Sequence, residues 1–369
     1  MKKISAEIVA DSISPQGHRI TTLLLTYPRF IHGEVMTHRL LSRNSASSRA
    51  IPFKKMVKMV KEDPFIPIAW QKDHKGMQGT EYITDSDHSE VCQEDWLEAR
   101  DATIFSAVRL NSGFHIFKKV EDSTEEDRED RVTKQLCNRL LEPFMWHTVL
   151  VTATEWDNFF ELRCPRYKLF GLGGGPQKSR KDWLKHMQFS SSLHPSQYPK
   201  TEEEWWAISE SSAEIHIQAL AEAMWDAMNE SIPNQLESGQ WHIPFGDRVD
   251  EKELDRLMPE IQPASLTWYI EQLNMLKLKI STARCARLSY MTFDGEINYE
   301  KDIQLHDDLL QDRHFSPFEH CGRVMTQEEE LMYRKIDRYA NDFDNLGWCN
   351  NFRGFIQYRY LVERGGIEK

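Results

Sequence analysis

The residues most able to do chemistry are gathered in one segment, from His38 to Arg49. This segment supplies imidazole, guanidinium, amide and hydroxyl groups: His38, Arg39, Ser42, Asn44, Ser45, Ser47, Ser48 and Arg49. Guanidinium groups and hydroxyls bind phosphate and carboxylate oxygens through several hydrogen bonds at once. The segment therefore predicts a site for an anion with several oxygens, such as a nucleotide phosphate.

A helix is expected to position this segment. Apolar residues recur at helical spacing and predict one buried face: Ile31, Val35, Met36 and Leu40. Glu34 lies off that face. From Ser42 to Arg49 the sequence offers almost nothing to bury, which indicates a polar loop after the helix.

Two further arginines follow apolar patterns. Arg139 lies beside a predicted buried stripe, in a helix that Pro143 ends, and the stripe consists of Val132, Leu136 and Leu140. Arg163 ends the segment TATEWDNFFELR, in which Thr154 and Asp157 predict a helix N-cap. The buried face of that helix is predicted to be Trp156, Phe159, Phe160 and Leu162.

Asn158 stands among these aromatic residues, and a buried amide without partners would cost roughly 1–3 kcal/mol. Two interpretations remain for each polar residue of these helices. Asn158 is either bonded to backbone or turned toward a ligand. Arg139 is either a surface arginine whose stem covers apolar residues or a ligand for an anion.

The segment RHFSPFEH near the end of the sequence contains His314, Ser316 and Glu319. Ser316, Pro317 and Glu319 have the spacing of a capping box with a first-turn proline, which predicts a helix start. A helix N-terminus is also suited to binding an anion.

Together these segments resemble the motifs of the flavin-dependent thymidylate synthases. The resemblance rests on His-Arg-x-x-Ser-x-Asn-x-x-Ser-x-Arg from His38 to Arg49, on Asn158, Leu162 and Arg163, on Ala-Arg-x-Ser ending at Ser289, and on His-x-Ser-Pro-Phe-Glu-His from His314. The chain departs from the family's usual residues at Thr37, Ser45, Ala50, Thr152 and Thr154. The last two motifs precede the first in the family and follow it here, so the chain resembles a permuted, phage-like member.

The resemblance implies an α+β fold with a mixed or antiparallel sheet, long helices and the motif blocks in permuted order. It implies reductive methylation of dUMP at C5, with methylenetetrahydrofolate supplying carbon and FAD, reduced by NADPH, supplying electrons. Arg163 would be the catalytic residue at the uracil edge. Cofactors would be held by His38, Arg39, Asn44, Asn158, Ser289, His314, Ser316 and Glu319. The nucleotide would be held by Glu34, Ser45, Ser47, Ser48, Arg49, Arg139 and Arg163.

The departures from the family pattern leave alternatives open. A remodelled pocket could methylate or hydroxymethylate dUMP or dCMP for modified DNA, because losing one base contact can change substrate preference by orders of magnitude. The chain could also be a flavin- and nucleotide-binding homologue without catalysis. A homo-oligomer, tetramer or dimer, is expected from the resemblance.

Composition limits the function classes. The 369 residues carry a formal net charge of −12, which argues against a nucleic-acid partner. No apolar run is long enough to span a membrane, and the N-terminal residues lack the apolar stretch of a signal peptide, so a cytoplasmic protein is expected. The six cysteines are scattered without zinc spacing, which predicts small buried residues and no metal site.

The order of patterns predicts the organisation of the chain. Residues 18–27 and 147–153 are expected to be strands, and residues 94–112, 213–230, 266–279 and 302–311 helices. Residues 1–235 and 236–369 are expected to form two regions of one intertwined catalytic unit, with a junction rich in proline and glycine at 232–263. Residues 165–211 read as an inserted loop, a candidate lid.

Overall fold

A computed structural model describes residues 2–75, 79, 81–113, 131–170, 174–189, 194–258, 265–288, 298–334 and 345–365. The fold is mixed α/β. Its main sheet has five strands in the order β3-β4-β2-β1-β5, antiparallel except for the β1–β5 pair. These strands are β1 (Ser5–Ile13), β2 (Arg19–Pro28), β3 (Ser42–Ser45), β4 (Trp146–Ala153) and β5 (Asn234–Gln235).

Two small sheets lie beside it within the described residues. One has the order β10-β7-β6 and the other pairs β8 with β9. Their strands are β6 (Trp241–His242), β7 (Gly322–Val324), β8 (Trp348–Cys349), β9 (Phe352–Arg353) and β10 (Phe355–Gln357).

The first seven helices described are α1 (His32–Met36), α2 (Phe53–Glu62), α3 (Ser86–Asn111), α4 (Lys134–Leu140), α5 (Asp157–Arg163), α6 (Arg180–Phe189) and α7 (Glu202–Ala207). The remaining helices are α8 (Ile215–Glu230), α9 (Glu251–Asp255), α10 (Leu266–Arg287), α11 (Tyr299–Gln311), α12 (Gln327–Met332) and α13 (Tyr358–Glu363). No helix in these described stretches is long and apolar enough to cross a membrane.

The core forms on both faces of β2 and β4. Leu23 and Val151 lie on one face, in a cluster with α5 and α8, and Leu150 lies on the other, against Cys285 of α10. Successive side chains of a strand point to opposite faces, so two-sided burial requires the nearly unbroken apolar runs that predicted these strands. The strand predictions for 18–27 and 147–153 are confirmed, as is the helix predicted at 213–230.

The helix predicted before the polar segment is shorter than expected. A 3-10 turn, Arg29–Ile31, leads into α1, which ends at Met36. Ile31 and Val35 are buried as predicted, whereas Met36 is exposed and Leu40 lies beyond the helix. The expected polar loop is also wrong at Ser42–Ser45, which form β3.

Two predictions of buried faces are wrong. In α4 the buried residues are Cys137 and Asn138, while Leu136 and Leu140 are exposed. In α5 Leu162 is exposed, although Trp156, Phe159 and Phe160 are buried as predicted. The predicted cap is absent, because α5 begins at Asp157 without a side-chain cap and the Thr154 hydroxyl instead accepts a hydrogen bond from the backbone of Arg353 at 2.9 Å.

The region predicted as an inserted loop contains helices α6 and α7. Their aromatic residues pack into a cluster that includes Tyr167, Trp183 and Trp206, each almost without exposed surface. Aromatic side chains bury large apolar areas, so this region is a folded unit against α8 where the structure describes it. The expected loop is therefore wrong for these helices, while a role as a lid stays a prediction.

Three of the predicted helices are longer than expected. The helix predicted at 266–279 continues to Arg287, the helix predicted at 302–311 begins at Tyr299, and α3 begins at Ser86 rather than at 94. The capping box at Ser316 is wrong, since Ser316–Glu319 form a single 3-10 turn with no side-chain cap.

Candidate functional site

Strand β3 is the element around which the predicted site residues collect. It pairs with β4 so that Ser42 lies opposite Thr152 and Asn44 opposite Leu150. Ser42 and Asn44 are buried, while Arg43 and Ser45 alternate with them. Two buried polar side chains require hydrogen-bond partners, and these come from distant parts of the chain.

Arg163 at the end of α5 contacts the segment before β3. Its Nε donates to Nε2 of His38 at 3.1 Å, and its Nη2 donates to the Thr37 hydroxyl at 3.3 Å. The His38 ring also packs edge-on against Phe159. Burial, with the charges of Arg163 and Arg43, lowers the pKa of His38, so its imidazole is neutral and Nε2 accepts the hydrogen bond from the guanidinium group.

Arg43, which the sequence analysis did not select, fixes the same turn from the other side. Its Nη1 donates to the carbonyl oxygens of Met36 at 3.0 Å and His38 at 3.2 Å. Burial lowers the pKa of Arg43, opposed by the nearby negative charge of Glu319. Arg43 thus links the His38 turn electrostatically to the 3-10 turn at Glu319.

Asn351, between β8 and β9, and Gln357 of β10 bond to Ser42 and to the backbone of that 3-10 turn. Asn351 Nδ2 donates to the Ser42 hydroxyl at 2.9 Å, and Gln357 Nε2 donates to the same oxygen at 3.3 Å and to the Glu319 carbonyl at 3.2 Å. The Glu319 carboxylate accepts from Arg359. Glu319 is therefore already paired within the chain.

Asn44 joins β3 to the residues around Ser316. One end of its carboxamide faces the carbonyl oxygens of Arg43 at 3.0 Å and Ser316 at 3.1 Å, and Nε2 of His320 at 3.3 Å. Carbonyl oxygens only accept, so this end is the NH₂ group. The backbone of Ser316 is thus fixed to β3, while its side chain stays exposed.

The turn after β3 is held by α4. Asn138, which is fully buried, donates through Nδ2 to the carbonyl oxygens of Ser48 at 2.7 Å and Ile51 at 2.9 Å. Arg49 follows Ser48 and Arg139 follows Asn138 in the sequence, and both arginines are exposed. Their guanidinium groups make no hydrogen bond or ion pair with another residue of the described chain.

A second cluster of titratable residues lies behind Ser48. The Ser48 hydroxyl donates to Glu142 at 2.5 Å, Arg29 lies 3.7 Å from the same carboxylate, and Arg29 also donates to His147 at 3.3 Å. The Tyr27 hydroxyl lies 2.8 Å from Nδ1 of His32. Burial, then the charges of Arg29 and Arg43, lower the pKa of His32 to about 4. Sequence spacing gave no signal for this cluster, because its members come from different elements.

The remaining predicted residues are placed less specifically. Arg39, Asn158 and His314 are exposed, and Glu34, Ser45 and Ser47 are half-buried. The sequence context predicted that Asn158 would be buried among the aromatic residues of α5, and this prediction is wrong. Ser289 lies outside the described residues.

The cysteines behave as predicted. Five of the six are buried, Cys92 is half-buried, and none is in a disulfide. Burial raises the pKa of Cys164, Cys285 and Cys321. These three thiols are unsuited to act as nucleophiles, since the thiolate is the reactive form.

Comparisons with known proteins give a weak structural likeness. No family model matches the chain, and no curated protein matches it. A crystal structure of the UMP/dUMP methylase PolB from Streptomyces cacaoi bound with 5-Br UMP is 15% identical, covers 62% of this chain and 90% of that chain, and has a TM-score of 0.36. A second structure of PolB, bound with 5-Br dUMP, is 15% identical, covers 51% of this chain and 88% of that chain, and has a TM-score of 0.34. This likeness is too weak to transfer residue roles.

Proposed function

We propose that this chain is a flavin-dependent thymidylate synthase-like enzyme, which methylates dUMP at C5 using methylenetetrahydrofolate, FAD and NADPH. One observation carries the proposal. Four segments far apart in sequence, around Asn138, Arg163, Ser316 and Gln357, all bond directly to residues 37–51. Three of these segments contain candidate residues predicted from the sequence, at Arg139, Arg163 and Ser316. The segment around Gln357 is the addition that the structure makes.

The nucleotide phosphate would bind at the turn that Asn138 holds. Arg49 and Arg139 offer two guanidinium groups there that make no hydrogen bond or ion pair with another described residue, and Ser47 directly precedes Ser48 in this segment. Bidentate hydrogen bonds from arginine to phosphate are strong and directional. A formal net charge of −12 disfavours an anion over most of the surface, so binding a phosphate requires local cations such as these arginines.

Arg163 would act at the pyrimidine. In this chain it is held by neutral partners, His38 and Thr37, so its charge is not cancelled by a carboxylate at that end. A fixed cation beside the ring stabilises the negative charge that develops on the pyrimidine during reaction. His38 keeps the guanidinium oriented until the substrate replaces it.

The residues present fit a flavin dinucleotide in their chemistry. Arg39 is exposed and makes no hydrogen bond or ion pair with another described residue, which suits a diphosphate, and the exposed Asn158 amide can donate to a ring carbonyl. Asn44 and Glu319, by contrast, are paired within the chain and would position backbone near the cofactor rather than bind it. When bound, FAD would supply the electrons and methylenetetrahydrofolate the carbon.

Spectroscopy and isotope release test this proposal. Purified protein is expected to carry or take up FAD, seen as the visible absorbance of an oxidised flavin that NADPH bleaches. It should then release tritium from C5-labelled dUMP only when methylenetetrahydrofolate is added. Absence of flavin binding at saturating FAD would contradict the proposal.

The same assay separates the nearest alternatives, which Thr37 and Ser45 motivate because they replace charged residues of the family pattern. Tritium release from labelled dCMP instead of dUMP would identify a cytosine enzyme. Mass spectrometry of the product would distinguish a methyl from a hydroxymethyl group. Flavin binding without release from either nucleotide would identify an inactive binding protein.

A further inference from the structure

A continuous chain of buried hydrogen bonds crosses the main sheet and ends at the candidate site. It runs through Ser12, His242, Thr22, Thr152, His320 and Asn44, all of them buried. In that order the five donor–acceptor distances are 2.9, 2.9, 2.7, 2.8 and 3.3 Å. The six residues come from β1, β6, β2, β4, the turn before β7, and β3.

The Asn44 end determines the direction of every bond in this chain. The NH₂ group of Asn44 faces two carbonyl oxygens, and its nitrogen is not an acceptor. Nε2 of His320, 3.3 Å away, must therefore be unprotonated. Burial lowers the pKa of His320 to about 3, so the neutral ring carries its single proton on Nδ1 and donates to Thr152.

The direction then passes from residue to residue. Thr152 accepts from His320, so its own single proton is satisfied within this hydrogen-bond chain only if Thr152 donates to Thr22. A buried hydroxyl proton without an acceptor costs free energy, and by the same argument Thr22, which accepts from Thr152, donates to Nε2 of His242. Burial lowers the pKa of His242 to about 4, although Asp11 raises it somewhat. This neutral ring must then donate from Nδ1 to Ser12. The Ser12 hydroxyl keeps its own proton at the edge of a cleft of about 510 Å³, which Asp11 and Trp241 also line.

We propose that Ser12, His242, Thr22, Thr152 and His320 are positioning residues, which hold the Asn44 amide in one orientation by a single direction of hydrogen bonding across the sheet. The role of Asn44 at a cofactor site rests on the proposed function, whereas the direction of the chain does not. An apolar residue would fill each position more cheaply if only packing were needed, because buried polar groups must all be satisfied. The chain of hydrogen bonds therefore links the orientation of the Asn44 amide in β3 to residues on the β1 side of the sheet.

The first test is spectroscopic and uses the unmodified protein. Nitrogen NMR of the protein labelled in histidine distinguishes the two neutral tautomers, since protonated and unprotonated ring nitrogens resonate far apart. Both His242 and His320 are expected to be neutral near pH 7 with the proton on Nδ1. Assignment uses the variants His242→Gln and His320→Gln. If the two rings carry their protons on different nitrogens, the proposal is overturned, because the chain would not have one direction.

The second test reverses the direction. Asn44→Asp places an acceptor beside His320, so His320 should move its proton to Nε2, and His242, which does not touch residue 44, should do the same. With Thr22→Val added, the chain is cut and His242 should no longer respond, whereas Thr22→Ser should restore the response. If Asn44→Asp changes the tautomer of His320 but not that of His242, the proposed single direction of hydrogen bonding is contradicted. If Asn44→Asp does not fold, the tautomers of the unmodified protein still decide the question.

The third test concerns the site itself. Thr152→Val should weaken FAD binding about tenfold, the equivalent of one hydrogen bond, while Thr152→Ser should restore it and thermal unfolding should show both variants folded. Unchanged affinity in Thr152→Val would contradict the positioning role. Failure of the unmodified protein to bind FAD would instead contradict the proposed function and leave the tautomer result standing.

Discussion

At the scale of single residues, the partners of Arg163 differ from those of Arg19, Arg180 and Arg359. Arg19, Arg180 and Arg359 each meet carboxylates, whereas Arg163 donates to a neutral imidazole and a hydroxyl. The neutral partners orient the guanidinium without cancelling its charge. Such a guanidinium group can exchange its partners for a substrate at a lower free-energy cost than one held in a buried ion pair.

Replacing Arg163 by alanine should abolish turnover and leave the flavin bound. We expect tritium release from C5-labelled dUMP to fall about 10²–10³-fold, the scale of losing one group that stabilises transition-state charge. The flavin spectrum should be unchanged, since Arg163 is not assigned to the cofactor. Arg166→Ala is the matched control, because Arg166 is an exposed arginine bonded to Glu161 at 3.1 Å. Normal turnover in Arg163→Ala would remove the catalytic assignment.

At the scale of elements, the structure shows what the sequence could and could not predict. Strands β2 and β4 and helix α8 follow from apolar runs and helical periodicity, which are local properties. Strand β3 could not be predicted, because Ser42 and Asn44 are buried by partners hundreds of residues away, such as Gln357 and His320. Local polarity indicated a loop, and only tertiary hydrogen bonds make it a strand.

The same reasoning explains the site. The motif resemblance predicted Arg163, His38 and Arg139 as site residues. They lie on or beside residues 37–51, which contain β3 and are called the β3 segment. His32, His147 and His242 gave no signal, since no spacing in the sequence relates them, whereas His320 ends the motif that begins at His314. Motifs of this kind identify residues that are close in sequence, whereas the titratable clusters are assembled by strand register.

The link between α4 and the turn after β3 predicts a coupled loss of stability and binding. Asn138→Ala removes two hydrogen bonds and leaves two carbonyl oxygens unpaired, so the free energy of unfolding should fall by about 2–4 kcal/mol. Nucleotide affinity should fall as well, because Arg49 and Arg139 flank this contact. Denaturant unfolding and equilibrium binding of dUMP measure the two effects. Gln135→Ala, an exposed change on the same helix, should alter stability by less than about 0.5 kcal/mol, and an equal loss there would contradict the assignment.

The contact between α6 and α8 predicts a pH-dependent stability. Glu222 of α8 accepts from the Arg180 backbone at 2.6 Å and from Tyr167 at 3.0 Å, and burial raises its pKa from 4.5 to about 7. The folded protein therefore binds this proton more readily than the unfolded chain. The resulting stability is fully present below about pH 4.5 and is lost as the pH rises through about 7.

Glu222→Gln should remove this component, so that at pH 8 the variant is more stable than the unmodified protein by on the order of 2 kcal/mol. The measurement is the free energy of unfolding from pH 5 to 8, compared between the two proteins. Glu210→Gln changes an exposed carboxylate of the same region and serves as the control. Parallel pH profiles for the unmodified protein and Glu222→Gln would show that Glu222 does not titrate in this range.

At the scale of the whole molecule, the candidate residues form groups at different ends of the β3 segment. Arg163 is held at His38, before the strand, and Arg139 lies at the turn after it. A nucleotide that contacts both groups either spans residues 38–49 of one chain or lies between two copies of the chain. The homo-oligomer expected from the sequence makes the second arrangement the one to test.

Mixing two inactive variants tests whether the site is shared between subunits. Arg163→Ala and Arg49→Ala should each be inactive alone. In a two-fold symmetric dimer with shared sites, a mixed dimer has one site that collects both substitutions and one site that has neither. Equal mixing with subunit exchange should therefore restore about a quarter of the unmodified activity, since about half of the dimers are mixed and half of their sites are intact. Sedimentation checks that the variants assemble like the unmodified protein. No recovery, with exchange shown by differently tagged subunits, would place Arg163 and Arg49 in one site of one chain, with the substrate spanning the β3 segment.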